Sequence, residues 1–118
     1  MIKPFIADYL AGTTPLKHGG HLRVWRRRVI LDVAPYHGWV YLRRIWSPSG
    51  GGYGTACLRW LVDLARRHRT VIMGHASRFS DIDVPRPSVA KLRAWYRRHG
   101  ARFDHNGAFT IGEEWYDK

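Results

Sequence analysis

The sequence predicts a mixed α/β (α+β) domain, with a mostly antiparallel sheet flanked by helices. Three observations carry this. From Leu22 to Trp46, β-branched and aromatic residues gather in short runs separated by turn residues. From Thr55 to Arg69 the apolar spacing changes to that of a helix. After that helix, a short apolar run, a second helical pattern and a hairpin signal follow in order.

The elements follow from the N-terminus. Pro4 to Leu10 can form a short helix, opened by a proline and closed near Gly12. Thr13 to Gly20 is a linker-like stretch. Three strands come next: one around Leu22, Val24 and Trp25, one at Val29, Ile30, Leu31 and Val33, and one from Trp39 through Ile45 and Trp46. Pro35 to Gly38 is the expected turn between the second and third. Ser47 to Gly54 is rich in glycine and precedes the amphipathic helix, in which Leu58, Leu61, Val62 and Ala65 share a face. Val71 to Ala76 reads as a strand. After a second linker-like stretch, Ser80 to Ser88, a helix spans Ser88 to Arg98, with Ser88 as N-cap and Gly100 at its end. Ala101 to Ile111 reads as a closing hairpin around Asn106-Gly107.

Composition bounds the function. With 118 residues the chain has room for one domain, residues 1–118, and 45% hydrophobic residues suffice for a core. Such a core is modest, and a homodimer is one way to cover leftover apolar area. Lys and Arg number 20 against 9 Asp and Glu, a net charge of +11 that favours anionic partners, nucleic acid among them. A solvated cationic surface is the plainer alternative. Cys57 is the one cysteine, so there is no intrachain disulfide, and no Cys/His spacing points to a metal. No apolar run approaches membrane-spanning length and the opening MIKPFIADYLAG lacks a signal-peptide pattern, so a cytoplasmic setting without membrane contact is expected.

Ser49-Gly-Gly-Gly-Tyr-Gly-Thr, between strand and helix, is the motif with most chemical content. A helix N-terminus offers unpaired N–H groups and a positive dipole end, and glycines let an anion approach closely. A plain connector is the alternative. No Lys-Ser or Lys-Thr pair completes a P-loop, and the preceding meander excludes a dinucleotide-binding βαβ unit.

WSPSGGGYGTACLRWLVDLARRH resembles the acyl-CoA signature of the GNAT acetyltransferase superfamily, R/Q-x-x-G-x-G/A followed by a helix. KLRAWYRRHGARF resembles that family's later helix, of the form FYxxxGF, and VIMGHAS lies between the two as the family order requires. The likeness covers Leu22 to Ile111 and is best from Ile45 to Phe103. It departs at Ser49, where the family carries Arg or Gln, and in an N-terminal region of about twenty residues, shorter than the family's usual strand and two helices.

The resemblance implies acyl transfer from acetyl-CoA to an amine acceptor, leaving coenzyme A as product. Arg44, Ile45 and Trp46 would pair with the pantetheine arm through their main chain. Gly50, Gly51, Gly52, Tyr53, Gly54 and Thr55 would hold the pyrophosphate. Arg59, Arg66 or Lys91 would reach the 3′-phosphate. Tyr96 corresponds to the family's proton donor to the leaving thiolate, with aromatic packing as its alternative.

His75, at the end of its strand, is a candidate base, with a structural role as the alternative; His37 and Asp32 are weaker candidates. Cys57 fits buried packing better than an acyl-enzyme. Two rival readings remain. One is a non-catalytic fold of this type. The other is a basic nucleic-acid-binding module using WRRRV, LRRIW and WYRRHGARF, which mix arginines with aromatics.

Overall fold

The computed structural model describes residues 2–16, 20–47, 52–76 and 89–116. Within them the chain forms α1 (Ile2–Ala11), β1 (Thr14–Pro15), β2 (Arg23–Trp25), β3 (Val29–Tyr36), β4 (Trp39–Trp46), α2 (Tyr53–Arg67), β5 (Ile72–His75), α3 (Val89–Arg98), β6 (Arg102–Phe103), β7 (Ala108–Ile111) and α4 (Glu113–Tyr116). The seven strands make one sheet in the order β1-β2-β3-β4-β5-β7-β6. Only β4 and β5 run parallel, the crossover between them being made by α2. The sheet is mixed and mostly antiparallel, as the sequence predicts.

Registry sorts the side chains onto two faces. Val40, Ile72 and Ile111 form one row across β4, β5 and β7, and Leu42, Gly74 and Phe109 form the next. With Val29 and Leu31 of β3 these residues are buried, apart from Gly74's missing side chain. The helices pack on this face. Cys57, Leu58, Leu61, Val62, Leu64 and Ala65 line the buried stripe of α2. Leu58 and Leu61, at 0% and 1% exposure, contribute roughly 1.5–3 kcal/mol each. Trp60 joins α2 to β2 and α1, its ring 5.9 Å from Trp25 and 6.2 Å from Tyr9. Tyr41, Met73 and His75 project from the opposite face, by the alternation of a strand.

Polar ties fix the periphery. Arg23 closes the C-terminal end of α1, its Nε donating to Thr13 Oγ1 at 2.7 Å and its Nη2 to the carbonyls of Thr13 and Leu10. A cation there also suits the negative end of the helix dipole. Asp8 of α1 meets His68 Nε2 at 2.7 Å, just beyond α2. Buried Thr70 donates to the Gly38 carbonyl at 2.8 Å, and Trp115 Nε1 donates to the Thr70 carbonyl at 2.8 Å.

Several local expectations need correction. The β3–β4 turn is the two-residue His37-Gly38, both with positive φ (50° and 84°), and Pro35 lies inside β3 opposite Val40. The last hairpin lacks the two-residue turn expected at Asn106-Gly107. Phe103 pairs with Phe109, and Asp104 Oδ1 accepts from the main-chain N–H of Asn106 and Ala108 across a longer loop. Thr14–Pro15, read as linker, forms an edge strand on β2, where proline loses no ladder bond that matters. Helix α2 begins at Tyr53 rather than Thr55, with Gly54 inside its first turn. Ser88 lies outside the described residues, so its expected capping role does too.

Gly74 is a close-approach glycine. A Cβ there would stand 2.8 Å from the Leu42 carbonyl oxygen and 2.9 Å from Phe109 Cζ. Gly74→Ala should therefore destabilise the fold by about 1–3 kcal/mol, read as a lower midpoint in chemical denaturation. An unchanged midpoint would contradict this packing.

Candidate active site

The parallel ladder of β4 and β5 is short. Val40, Tyr41 and Leu42 pair with Ile72, Met73 and Gly74, and among the described residues the ladder ends there. The register of β4 on β3 shifts at the same level, where Leu42 pairs with Val33 and Arg44 with Asp32, leaving Arg43 as an extra bulged residue. Among the described residues β4 continues through Arg43 to Trp46 beyond its last β5 pair, and the region past Leu42 and Gly74 is the opening between the two strands. Arg44, Ile45 and Trp46, expected to offer main-chain groups to a ligand, all lie on this stretch.

At the mouth of the opening stands the N-terminus of α2. Gly52 is its N-cap in the left-handed region (φ 82°), and among the described residues no side chain caps the helix. Tyr53, Gly54 and Thr55 begin the helix, where main-chain N–H groups precede any intrahelical acceptor. A Cβ on Gly52 would meet nothing within 4 Å, while one on Gly54 would reach Ser47 Cβ at 3.7 Å and Trp95 Cζ2 at 3.9 Å. Trp95 of α3 also donates from Nε1 to Thr55 Oγ1 at 2.9 Å. So the end of β4, the start of α2 and α3 converge. Gly50 and Gly51 lie outside the described residues.

Two basic features flank this point that the sequence reading did not place there. Ile30 pairs with Trp46, which brings the β2–β3 turn, Arg26 to Arg28, to this end of the sheet. Arg28 lies over the Tyr53 ring at 4.6 Å and Arg26 over Trp25 at 4.5 Å. The short hairpin spacing of WRRRV between two apolar runs was the available signal.

The second feature is a groove of about 440 Å³ between α2 and the end of α3, lined by Arg59, Asp63, Arg66, Arg98 and His99. Arg59 and Arg66 are thus brought together, and Lys91 is not among the lining residues. Burial lowers the His99 pKa, and Arg59 and Arg98 lower it further.

Tyr96 is buried on the helix-covered face, its ring stacked on Phe109 at 4.4 Å. Phe109 in turn covers Gly74, the last β5 residue paired to β4. Burial pushes the Tyr96 phenol well above its ordinary range, so it stays protonated at neutral pH. His75 is exposed on the other face, with Nδ1 3.0 Å from the Tyr41 hydroxyl. The two sequence candidates therefore stand on opposite faces of the sheet, near the point where it opens. His37 sits in the β3–β4 turn against Tyr36 (4.6 Å), and Asp32 lies opposite Arg44 at the bulge. Cys57 is fully buried, and burial raises its thiol to about 12 despite the opposing pull of Arg26. Among the described residues no cluster of His, Cys, Asp or Glu could hold a metal ion, and no helix is long and apolar enough to cross a membrane.

This architecture has a structural relative. The crystal structure of the anti-CRISPR protein AcrVA5 superposes with a TM-score of 0.59, covering 74% of this chain and 93% of that one at 14% identity. The two chains share this mixed α+β fold with its mostly antiparallel sheet. No family model matches the sequence, and no curated protein matches it. At this identity the likeness speaks for the fold alone.

Two measurements check the site's electrostatics. Cys57 should not react with a thiol reagent in the native protein and should react fully once denatured; native reactivity would contradict its burial. His99 should titrate below about 6.5 in a histidine-resolved NMR experiment, and a higher value would contradict the groove as described.

Proposed function

We propose that this protein is an N-acyltransferase that moves the acetyl group of acetyl-CoA directly to an amine. The observation that carries the reading is the opening between β4 and β5, with an uncapped glycine-rich helix N-terminus at its mouth. A strand that runs on past its last β5 pair suits an amide-containing arm such as pantetheine, which can pair with it as a further strand would. The start of α2 suits a pyrophosphate, because Gly52 and Gly54 leave room for close approach and the helix dipole favours the charge. Arg59, Arg66 and Arg98, outnumbering Asp63 on the same wall, offer a cationic groove for the 3′-phosphate.

The chemistry follows from where the residues stand. The amine nitrogen forms a bond to the thioester carbon, and the carbon–sulfur bond breaks. A main-chain N–H of β4 beyond Leu42 can stabilise the charge that develops on the carbonyl oxygen. Tyr96, protonated at neutral pH, gives its proton to the departing sulfur, although burial makes its phenol a weaker acid for that step. His75, on the opposite face, takes the proton that leaves the nitrogen. An acid and a base on opposite faces fit a single displacement through the opening. Buried Cys57, with its raised pKa, does not suit an acyl-enzyme.

Calorimetry with acetyl-CoA tests the reading. The expected result is a one-to-one complex, lost in Gly54→Val, whose side chain would crowd Ser47 and Trp95. Tyr96→Phe keeps the ring on Phe109, so binding should persist while kcat falls about 100-fold or more. Absence of binding at millimolar acetyl-CoA in a folded sample would overturn the proposal.

A further inference from the structure

The sheet face opposite the helices carries a small aromatic group beside the opening. Tyr36 is 51% exposed, and its ring meets Tyr41 edge to face at 6.4 Å and 74°. Tyr41 lies 6.2 Å from the His75 ring, and its hydroxyl is bonded to His75 Nδ1 at 3.0 Å. With Nδ1–H donating to the Tyr41 oxygen, Nε2 keeps the lone pair that an incoming group meets. The faces of tyrosine rings carry partial negative charge and attract ammonium groups. A cation-attracting patch within a chain of net charge +11 calls for an explanation.

Charge decides what can carry that cation. The chain's net charge of +11 sets the field such a carrier meets, screened beyond about 8 Å at physiological salt and longer-ranged at low salt. A polyamine or a basic peptide approaches against this field, whereas an amine on a net-negative carrier approaches with it. Nucleic acid is negative, but the amino groups of its bases delocalise their lone pair into the ring and attack a thioester poorly. An acidic polypeptide offers both a negative carrier and an alkyl amine.

We propose that the face bearing Tyr36, Tyr41 and His75 receives an aliphatic amine of an acidic polypeptide. This rests on the acyl-CoA reading above and names its acceptor. The tyrosine rings hold the ammonium, and Tyr41 positions His75 through the Nδ1 bond. The ammonium loses one proton to water. As the nitrogen–carbon bond forms and the carbon–sulfur bond breaks, the nitrogen's next proton passes to His75 and the sulfur takes the proton of Tyr96. Exchange with solvent then restores both residues.

The test uses the whole chain, acetyl-CoA and matched peptides, with release of the coenzyme A thiol as the readout. Two peptides have a blocked N-terminus and a single lysine, flanked by glutamates in one and arginines in the other. A third is acidic, lacks lysine and has a free N-terminus. At low salt kcat/KM for an acidic peptide should exceed that for the basic one by about 10-fold or more, the gap closing at high salt. Acetylation of either acidic peptide supports the proposal, and the pair tells a lysyl amine from an α-amine. Tyr36→Ala should raise KM for the acidic peptide by about 2- to 5-fold and leave KM for acetyl-CoA unchanged, with Tyr36→Phe restoring it. Equal or reversed peptide preference, or no acetylation of any peptide by protein that binds acetyl-CoA, would overturn the acceptor assignment alone. Failure to bind acetyl-CoA would overturn the acyl-CoA reading itself, and with it this one.

Discussion

The short parallel ladder between β4 and β5 is the constraint on which the other features depend, because every candidate group is placed relative to its end. Three pairs hold the strands together, and the last of them joins Leu42 to Gly74. At that pair the Leu42 carbonyl and the Phe109 ring fill the space where a side chain on β5 would stand. One residue later β4 bulges at Arg43 against β3. A bulge increases local twist, and this one turns β4 against β3 at the level just past its last pair with β5. The close contact at Gly74 and the opening beyond it are thus two consequences of one local arrangement.

From this point the site assembles through packing. The Tyr96 ring lies on Phe109, which covers Gly74, so the phenol is tied to the level of the last strand pair. Trp95, its neighbour in α3, bonds Thr55 and lies near Gly54, so the same helix also fixes the start of α2. Helix α3 thereby serves both ends of the opening with adjacent residues. His75 reaches the other face because strand alternation turns it away from Gly74 and the helices. Opposed placement of Tyr96 and His75 follows from sheet geometry.

Much of the architecture was legible because it rests on periodicity. The β2–β4 meander, the amphipathic α2 and the order of elements around it follow from patterns of two and 3.6 residues. What was not legible has a physical reason in each case. His37-Gly38 holds a turn with two positive φ values, and histidine does not advertise that conformation as asparagine would. Asp104, rather than Asn106, organises the last hairpin, through side-chain bonds that spacing alone does not reveal. Gly54 pointed to a later start for α2, yet a first helical turn tolerates glycine because its N–H groups have no intrahelical partner to lose. For the site, local motifs marked Tyr96 and the start of α2. The contributions of Arg28, Trp95 and Tyr41 depend on contacts between distant segments. Arg28 meets Tyr53 because the β2–β3 turn lies beside the start of α2, and Tyr41 meets His75 because β4 pairs with β5.

The most direct test of this account is an amide-resolved NMR titration with coenzyme A. If the opening between β4 and β5 and the start of α2 form one ligand site, the largest shifts will fall on Arg43 to Trp46 and on Gly52 to Thr55. Smaller shifts are expected at Arg59, Arg98 and His99 along the groove. A saturable shift pattern centred elsewhere, or no shift in β4 and the first turn of α2, would contradict it.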